Sequence, residues 1–163
     1  MLALDEDAPL AVVAIGAIRS GDVEELRRLL KDRPDLAAAT ITRQRGSNAM
    51  PYSYPLIGAA TDWPGHFPNV SATIHALVSS GADVNARAAG PHEETALHGA
   101  ASSDDVEALD ALLDADADIE ASGGVIAGGT PLDDAVAFGQ WRAARRLVEP
   151  APRPRSGMPL RSA

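Results

Sequence analysis

Residues 94–121, ETALHGAASSDDVEALDALLDADADIEA, decide how this chain folds. Thr95 is a natural helix N-cap, because its hydroxyl can take a free amide of the first turn. A short apolar segment follows and ends on the small pair Ala100-Ala101. The polar turn 102–105 then leads into Val106, Leu109, Leu112 and Leu113, which recur at helical spacing. The stretch predicts two short helices joined by a tight turn. One such unit has a single apolar face and cannot bury it alone, so its neighbours must resemble it.

They do. Aligned on the small pair, the chain offers Ala17-Ile18, Ala59-Ala60, Ala100-Ala101 and Ala135-Val136. Three stretches then run in parallel: RSGDVEELRRLLKD (19–32), SSDDVEALDALLDA (102–115) and AFGQWRAARRLVEP (137–150). The second unit closes with SATIHALVSS (71–80), but it has six extra residues, which fall inside its opening segment ATDWPGHFPN (60–69). Thr130 caps a further helix, with Pro131 at its first position, where a missing N–H does no harm. Gly81 suits a left-handed helix exit. The connections Arg33 to Ala59 and Gly81 to Ala100 are long, and are expected to be elongated fingers.

These motifs resemble the ankyrin repeat. Glu94-Thr95-Ala96-Leu97-His98-Gly99-Ala100-Ala101 and Gly129-Thr130-Pro131-Leu132 are similar to its T-P-L-H-x-A-A opening, and Gly81-Ala82-Asp83-Val84-Asn85 to its G-A-D-V-N exit. The second unit matches at both ends, with Tyr54-Pro55-Leu56 at its beginning. The first matches only over 16–36, with Arg33 in the glycine slot. The Ala- and Arg-rich style resembles bacterial ankyrin proteins of high-GC, actinobacterial type. The resemblance covers residues 12–149 and implies an all-α fold. That fold is an ankyrin-repeat solenoid of about four helix-turn-helix units (12–36, 53–86, 94–121, 129–149), within a domain spanning 1–149. Residues 150–163, rich in Pro and Arg, are expected to form a disordered tail.

Composition narrows the function classes. The apolar content is 45% but only 4% is aromatic, so Ala, Leu and Val must build the core. There is no cysteine, which removes disulfides, thiolate metal sites and cysteine nucleophiles. A net charge of -9 without a basic stripe argues against nucleic acid and anionic membranes. The apolar run Leu10–Ile18 follows Asp5, Glu6 and Asp7, the wrong sign for a secretory leader, and is far below the roughly 20 residues of a membrane span. A cytoplasmic protein is the expectation.

Most of the polar and aromatic residues outside the insertion have plain structural roles. His98, in the histidine slot of the opening motif, is assigned to hydrogen bonding of the turn. His75 is read as part of the packing face. The four histidines offer no i, i+4 pair, so no metal is expected. GGVIAGG (123–129) lacks the Gly-Lys-Ser/Thr ending of a phosphate loop and reads as a flexible finger. Trp141 falls in register with Val23 and Val106 and is expected in the core. Asp104-Asp105 reads as helix capping.

The insertion carries more. The resemblance puts Thr61-Asp62, Ser102-Ser103 and Ala137-Phe138 on the concave groove, so residues 61–69 begin at the groove itself. Trp63, His66 and Phe67 are expected to wall it at one end, and fingers bearing Tyr52, Tyr54, His92 and Glu93 at the other. The leading expectation is a non-enzymatic module that binds a protein partner with a basic patch. Its contacts would be Tyr52, Tyr54, Asp62, Trp63, His66, Phe67, His92, Ser102, Ser103 and Phe138. The alternative is a small-molecule pocket or a cofactor-independent isomerase or cyclase, with Asp62, His66 and His92 as its acid–base groups. No cofactor is implied. Ala143, Ala144, Leu147 and Val148 would lack cover at the end of the fourth unit, so a homodimer there is expected, or a tail folded back through Met158 and Leu160.

Overall fold

The computed structural model describes residues 1–44 and 46–149. Among them, seven α-helices run in order: α1 (Pro9–Ser20), α2 (Val23–Asp32), α3 (Val70–Ser79), α4 (Ala96–Ser102), α5 (Val106–Asp114), α6 (Pro131–Ala137) and α7 (Trp141–Val148). Two 3-10 helices, Pro34–Ala38 and Leu56–Ala60, and three strands complete the fold. No described helix is long and apolar enough to cross a membrane.

Local chemistry sets the helix ends. Asp22 accepts the Glu25 amide at 3.1 Å, and Asp105 accepts that of Ala108 at the same distance. At Thr130 the cap is reciprocal: its hydroxyl accepts the Asp133 amide at 3.3 Å, and the Asp133 carboxylate accepts the Thr130 amide at 2.8 Å. Gly81 leaves α3 with a φ of 109°, and Ala82 donates back to the Leu77 carbonyl, as a left-handed exit requires.

Helices pair as the repeat predicts. α1 packs on α2, Leu56–Ala60 on α3, α4 on α5 and α6 on α7. First helices meet in the order α1, Leu56–Ala60, α4, α6, and second helices in the order α2, α3, α5, α7. The buried layer is aliphatic: Leu26, Leu56, Leu77, Leu97, Leu109 and Leu112 are all closed to solvent beside many alanines. Each such leucine contributes about 2 kcal/mol through the area it removes from water. Gly99 allows one of the closest approaches, since a Cβ there would lie 2.7 Å from Thr61 Oγ1.

The sheet corrects the all-α expectation. Strand β1 (Ala3–Asp5) runs parallel to β2 (Thr40–Arg43), which pairs antiparallel with β3 (Tyr52–Pro55). TITR and YSYP are β-branched and aromatic, and Leu36, Ile41 and Tyr54 pin their inner face to the core. Arg33 explains the departure. Without a left-handed exit the chain turns through Pro34–Ala38 and rises as a strand. Later fingers join in series: Ser53 bridges Ala89, Ala88 donates to Glu94 and Glu93 donates to Gly123.

The last helices bring a second correction. Trp141 is not core; it is 65% exposed. Its counterparts Val23 and Val106 are half covered, whereas no described helix follows α7 to cover Trp141. Conversely, Ala143, Ala144 and Leu147 are already buried, and only Val148 of the expected bare stripe is open. The exposed side of α7 also carries Arg142 and Arg145. The tail expected over residues 150–163, with Met158 and Leu160, lies outside the described residues. His75 is corrected as well: it is exposed, with Nε2 3.5 Å from Ser79 Oγ.

Candidate functional site

The insertion opens where the first helix of the second unit stops as a 3-10 turn. Residues 61–69 then cross the inter-helix turns on either side. Asn69 Nδ2 donates to the Gly21 carbonyl at 2.9 Å, and Pro68 lies so close to Gly21 that any side chain there would collide with it. On the other flank the His66 amide donates to Asp105 Oδ2 at 2.8 Å, and His66 Nε2 lies 2.7 Å from the Ser103 carbonyl. Phe67 is half-buried beneath the Arg19 guanidinium, 5.6 Å from ring centroid to Cζ. His66 and Phe67 are therefore braces between neighbouring units. Trp63 has no such duty and stands 79% exposed.

Trp63 instead borders a cleft of about 220 Å³ on the face shared by the first helices. Tyr52 and Tyr54 from β3, Asp62 and Trp63 from the insertion, Ser102 and Ser103 from the end of α4, and Phe138 after α6 all line it. Seven of the residues singled out in the sequence thus converge. His92 does not join them; it borders an adjacent hollow with Arg43, Met50 and Tyr52. The proposed acid–base set of Asp62, His66 and His92 is accordingly spread over three separate settings.

Asp62, one of the cleft residues, belongs to an ion network. Arg43 donates to Glu6 Oε1 at 2.8 Å and to Asp62 Oδ2 at 3.0 Å, and Arg19 reaches the same Asp62 oxygen at 3.0 Å. The Arg43 guanidinium also lies 5.2 Å from the centre of the Tyr54 ring, which stacks on Tyr52 at 5.8 Å. The hydrogen bond from Arg43 holds the Glu6 carboxyl below its ordinary range. Burial pushes the Tyr54 phenol up to about 12, so it stays protonated.

The cleft also holds a residue the sequence reading passed over. Glu94 lines both the cleft and the adjacent hollow and is half-buried. Burial, followed by the fields of Asp134 and Asp62, pushes its pKa up to about 7, and no cation or hydrogen bond lowers it. Its position just before the Thr95 cap was the available signal, but the opening motif drew notice to His98 instead.

His98 is where the motif places it. Fully buried, it accepts the Thr95 amide on Nδ1 at 3.1 Å and holds the Gly129 carbonyl on Nε2 at 3.1 Å. An amide only donates and a carbonyl only accepts, so the ring must be neutral with its proton on Nε2. Burial lowers its pKa in keeping with that state. The 123–129 finger is closed rather than loose. Gly123 and Gly124 donate to Gly128 and Gly129, and the buried Asp134 accepts the Ile126 amide at 3.2 Å. Among the described residues, no cluster of three histidine, aspartate or glutamate side chains has metal-holding geometry.

Residues 92–123 match the family model of the ankyrin repeat. The match falls on the finger, the α4–α5 pair and its exit, and supports an ankyrin repeat protein. A search of the curated proteins finds no match to the chain. Ankyrin repeats in general mediate protein–protein contacts.

Proposed function

We propose that the chain is an ankyrin solenoid of four units over residues 1–149, and that it works as a non-enzymatic module gripping a partner protein in its concave cleft. One observation carries this reading. Trp63 and Phe138, far apart in sequence, are both exposed beside the same cleft, at 79% and 48%. Large aromatic side chains at the centre of a contact usually supply most of its energy. The cleft, of about 220 Å³, is open at its mouth and adjoins a second open hollow of about 410 Å³, which favours a protruding protein segment over an enclosed ligand. Arg43, tied to Glu6, holds the cleft residues Asp62 and Tyr54 in advance, so less ordering remains to be done on binding.

The test uses wild type and Trp63→Ala as baits in parallel. Proteins held by wild type and lost by Trp63→Ala, with unchanged urea unfolding, are expected. A set of captured proteins insensitive to both Trp63→Ala and Phe138→Ala would refute the cleft as the binding surface.

A further inference from the structure

Around the cleft one arrangement of side chains recurs, and one copy is incomplete. Arg43 rests on the Tyr54 ring and pairs with Glu6 and Asp62. Arg19 rests on Phe67 and pairs with Asp62. Each set joins an aromatic face, a carboxylate and a guanidinium. Tyr52 and Glu94, which together line the cleft and the adjacent hollow, form a third set of aromatic ring and carboxylate, close enough for the Glu94 charge to act on the Tyr52 phenol. Among the described residues no guanidinium or ammonium completes it.

We propose that the Tyr52–Glu94 corner of the cleft is a receptor for an arginine side chain of the partner protein. The inference rests on the reading of the cleft as the recognition site. A guanidinium is the group that satisfies every surface there. Its plane stacks on Tyr52, which already stacks on Tyr54, as Arg43 does one ring further along. Its forked donors match the two oxygens of Glu94. Charge favours the same occupant. Asp62 and Asp134 add negative field around Glu94, Arg43 of the adjacent hollow is spent on Glu6 and Asp62, and the whole chain carries a net charge of -9. An arriving cation also releases the proton that burial keeps on Glu94, so capture strengthens with pH. With half-ionisation at about 7, the ionised fraction rises about tenfold between pH 6 and pH 8, and affinity rises with it.

The test is a titration of isotope-labelled protein, followed by amide NMR, with N-acetyl-arginine methylamide at constant ionic strength. The matched citrulline and lysine amides serve as probes of shape without charge and charge without a fork. Arginine is expected to shift the amides of Tyr52, Glu94 and Thr95, with citrulline inert and lysine at least threefold weaker. Glu94→Gln, an isosteric change, is expected to weaken arginine at least fivefold and flatten the pH gain, while His92→Gln leaves the gain in place. Equal binding of citrulline or lysine, shifts elsewhere on the surface, or a Glu94→Gln protein that binds like wild type would overturn the assignment. If proteins captured by wild type are lost with Trp63→Ala but retained with Glu94→Gln, the cleft reading stands and the arginine receptor falls. Loss of neither refutes the cleft reading, and the amide titration then judges the corner alone.

Discussion

Replacing His98 with alanine removes a tie between two units and should destabilise the protein by about 3 kcal/mol. Two groups are orphaned: the Thr95 amide that donates to Nδ1 and the Gly129 carbonyl that accepts from Nε2. Each unpaired buried group costs roughly 1–3 kcal/mol. Both lie beside a fully buried ring, though the Gly129 contact is nearer the surface, which puts the sum in the lower half of the resulting range of roughly 2–6 kcal/mol. Glutamine separates the two ties. It can reach back to the Thr95 amide as the third residue of a capping box, but cannot span to Gly129, so His98→Gln should recover about half of the loss. Urea unfolding followed by far-ultraviolet circular dichroism reads both. The pH dependence adds a sign. Burial holds the native pKa of His98 below that of the unfolded chain. Its contribution is thus whole above the unfolded value of about 6.5 and is lost as pH falls through the native value, because the unfolded ring takes up the proton first. His98→Gln should flatten that acid limb. A loss under about 1 kcal/mol in His98→Ala, or glutamine no better than alanine, would refute the bridging role.

Glu94→Gln should behave in the opposite way. Its native pKa lies above the ordinary value, so its cost to stability grows as pH rises from about 4.5 through about 7. The full shift is worth roughly 3 kcal/mol, and screening at the open cleft reduces this to a gain of about 1 kcal/mol for Glu94→Gln at pH 8, with none at pH 4. Thermal unfolding at the two pH values checks it. Asp105→Ala removes the α5 cap and strands the His66 amide, for an expected loss of about 2 kcal/mol in urea; a loss under 0.5 kcal/mol would show that the insertion is not braced there. Gly99→Ala forces a Cβ against Thr61 and should cost about 2 kcal/mol by overpacking, and an unchanged urea midpoint would contradict that contact.

The helices were legible because their signals are local. Apolar spacing, Asp105 and Thr130 caps and the Gly81 exit each act within one or two turns. The sheet was not, since β1 pairs with a strand more than thirty residues away and nothing in Ala3–Asp5 announces it. The aromatic members of the cleft were found through their scarcity in an alanine-rich chain. Asp104 shows what scarcity misses. It is one of two adjacent acids read as a cap for their own helix, yet its carboxylate accepts the Ala143 amide of α7 at 2.7 Å. Asp105 caps its own helix as expected. The distinction depends on a positive φ of 54° at Asp104, which turns its side chain toward the next unit.

Glu94 differs from its neighbours in what folding asks of it. Thr95 and His98 tie the start of α4, and Glu93 joins the next finger through its backbone. Glu94 also joins a finger, but through its carbonyl, which accepts the Ala88 amide at 2.8 Å whatever side chain it bears. The carboxylate itself is half-buried without a partner and repelled by Asp62 and Asp134, so its presence weakens the free protein. Glutamine or threonine at that point would serve the fold better. A charge held at a cost in the resting state recovers that cost when an opposite charge arrives, because the same low-polarity setting that penalises the lone ion strengthens the pair. The attraction is then gained on binding alone, and it discriminates sharply against neutral or acidic segments that leave the charge unpaired.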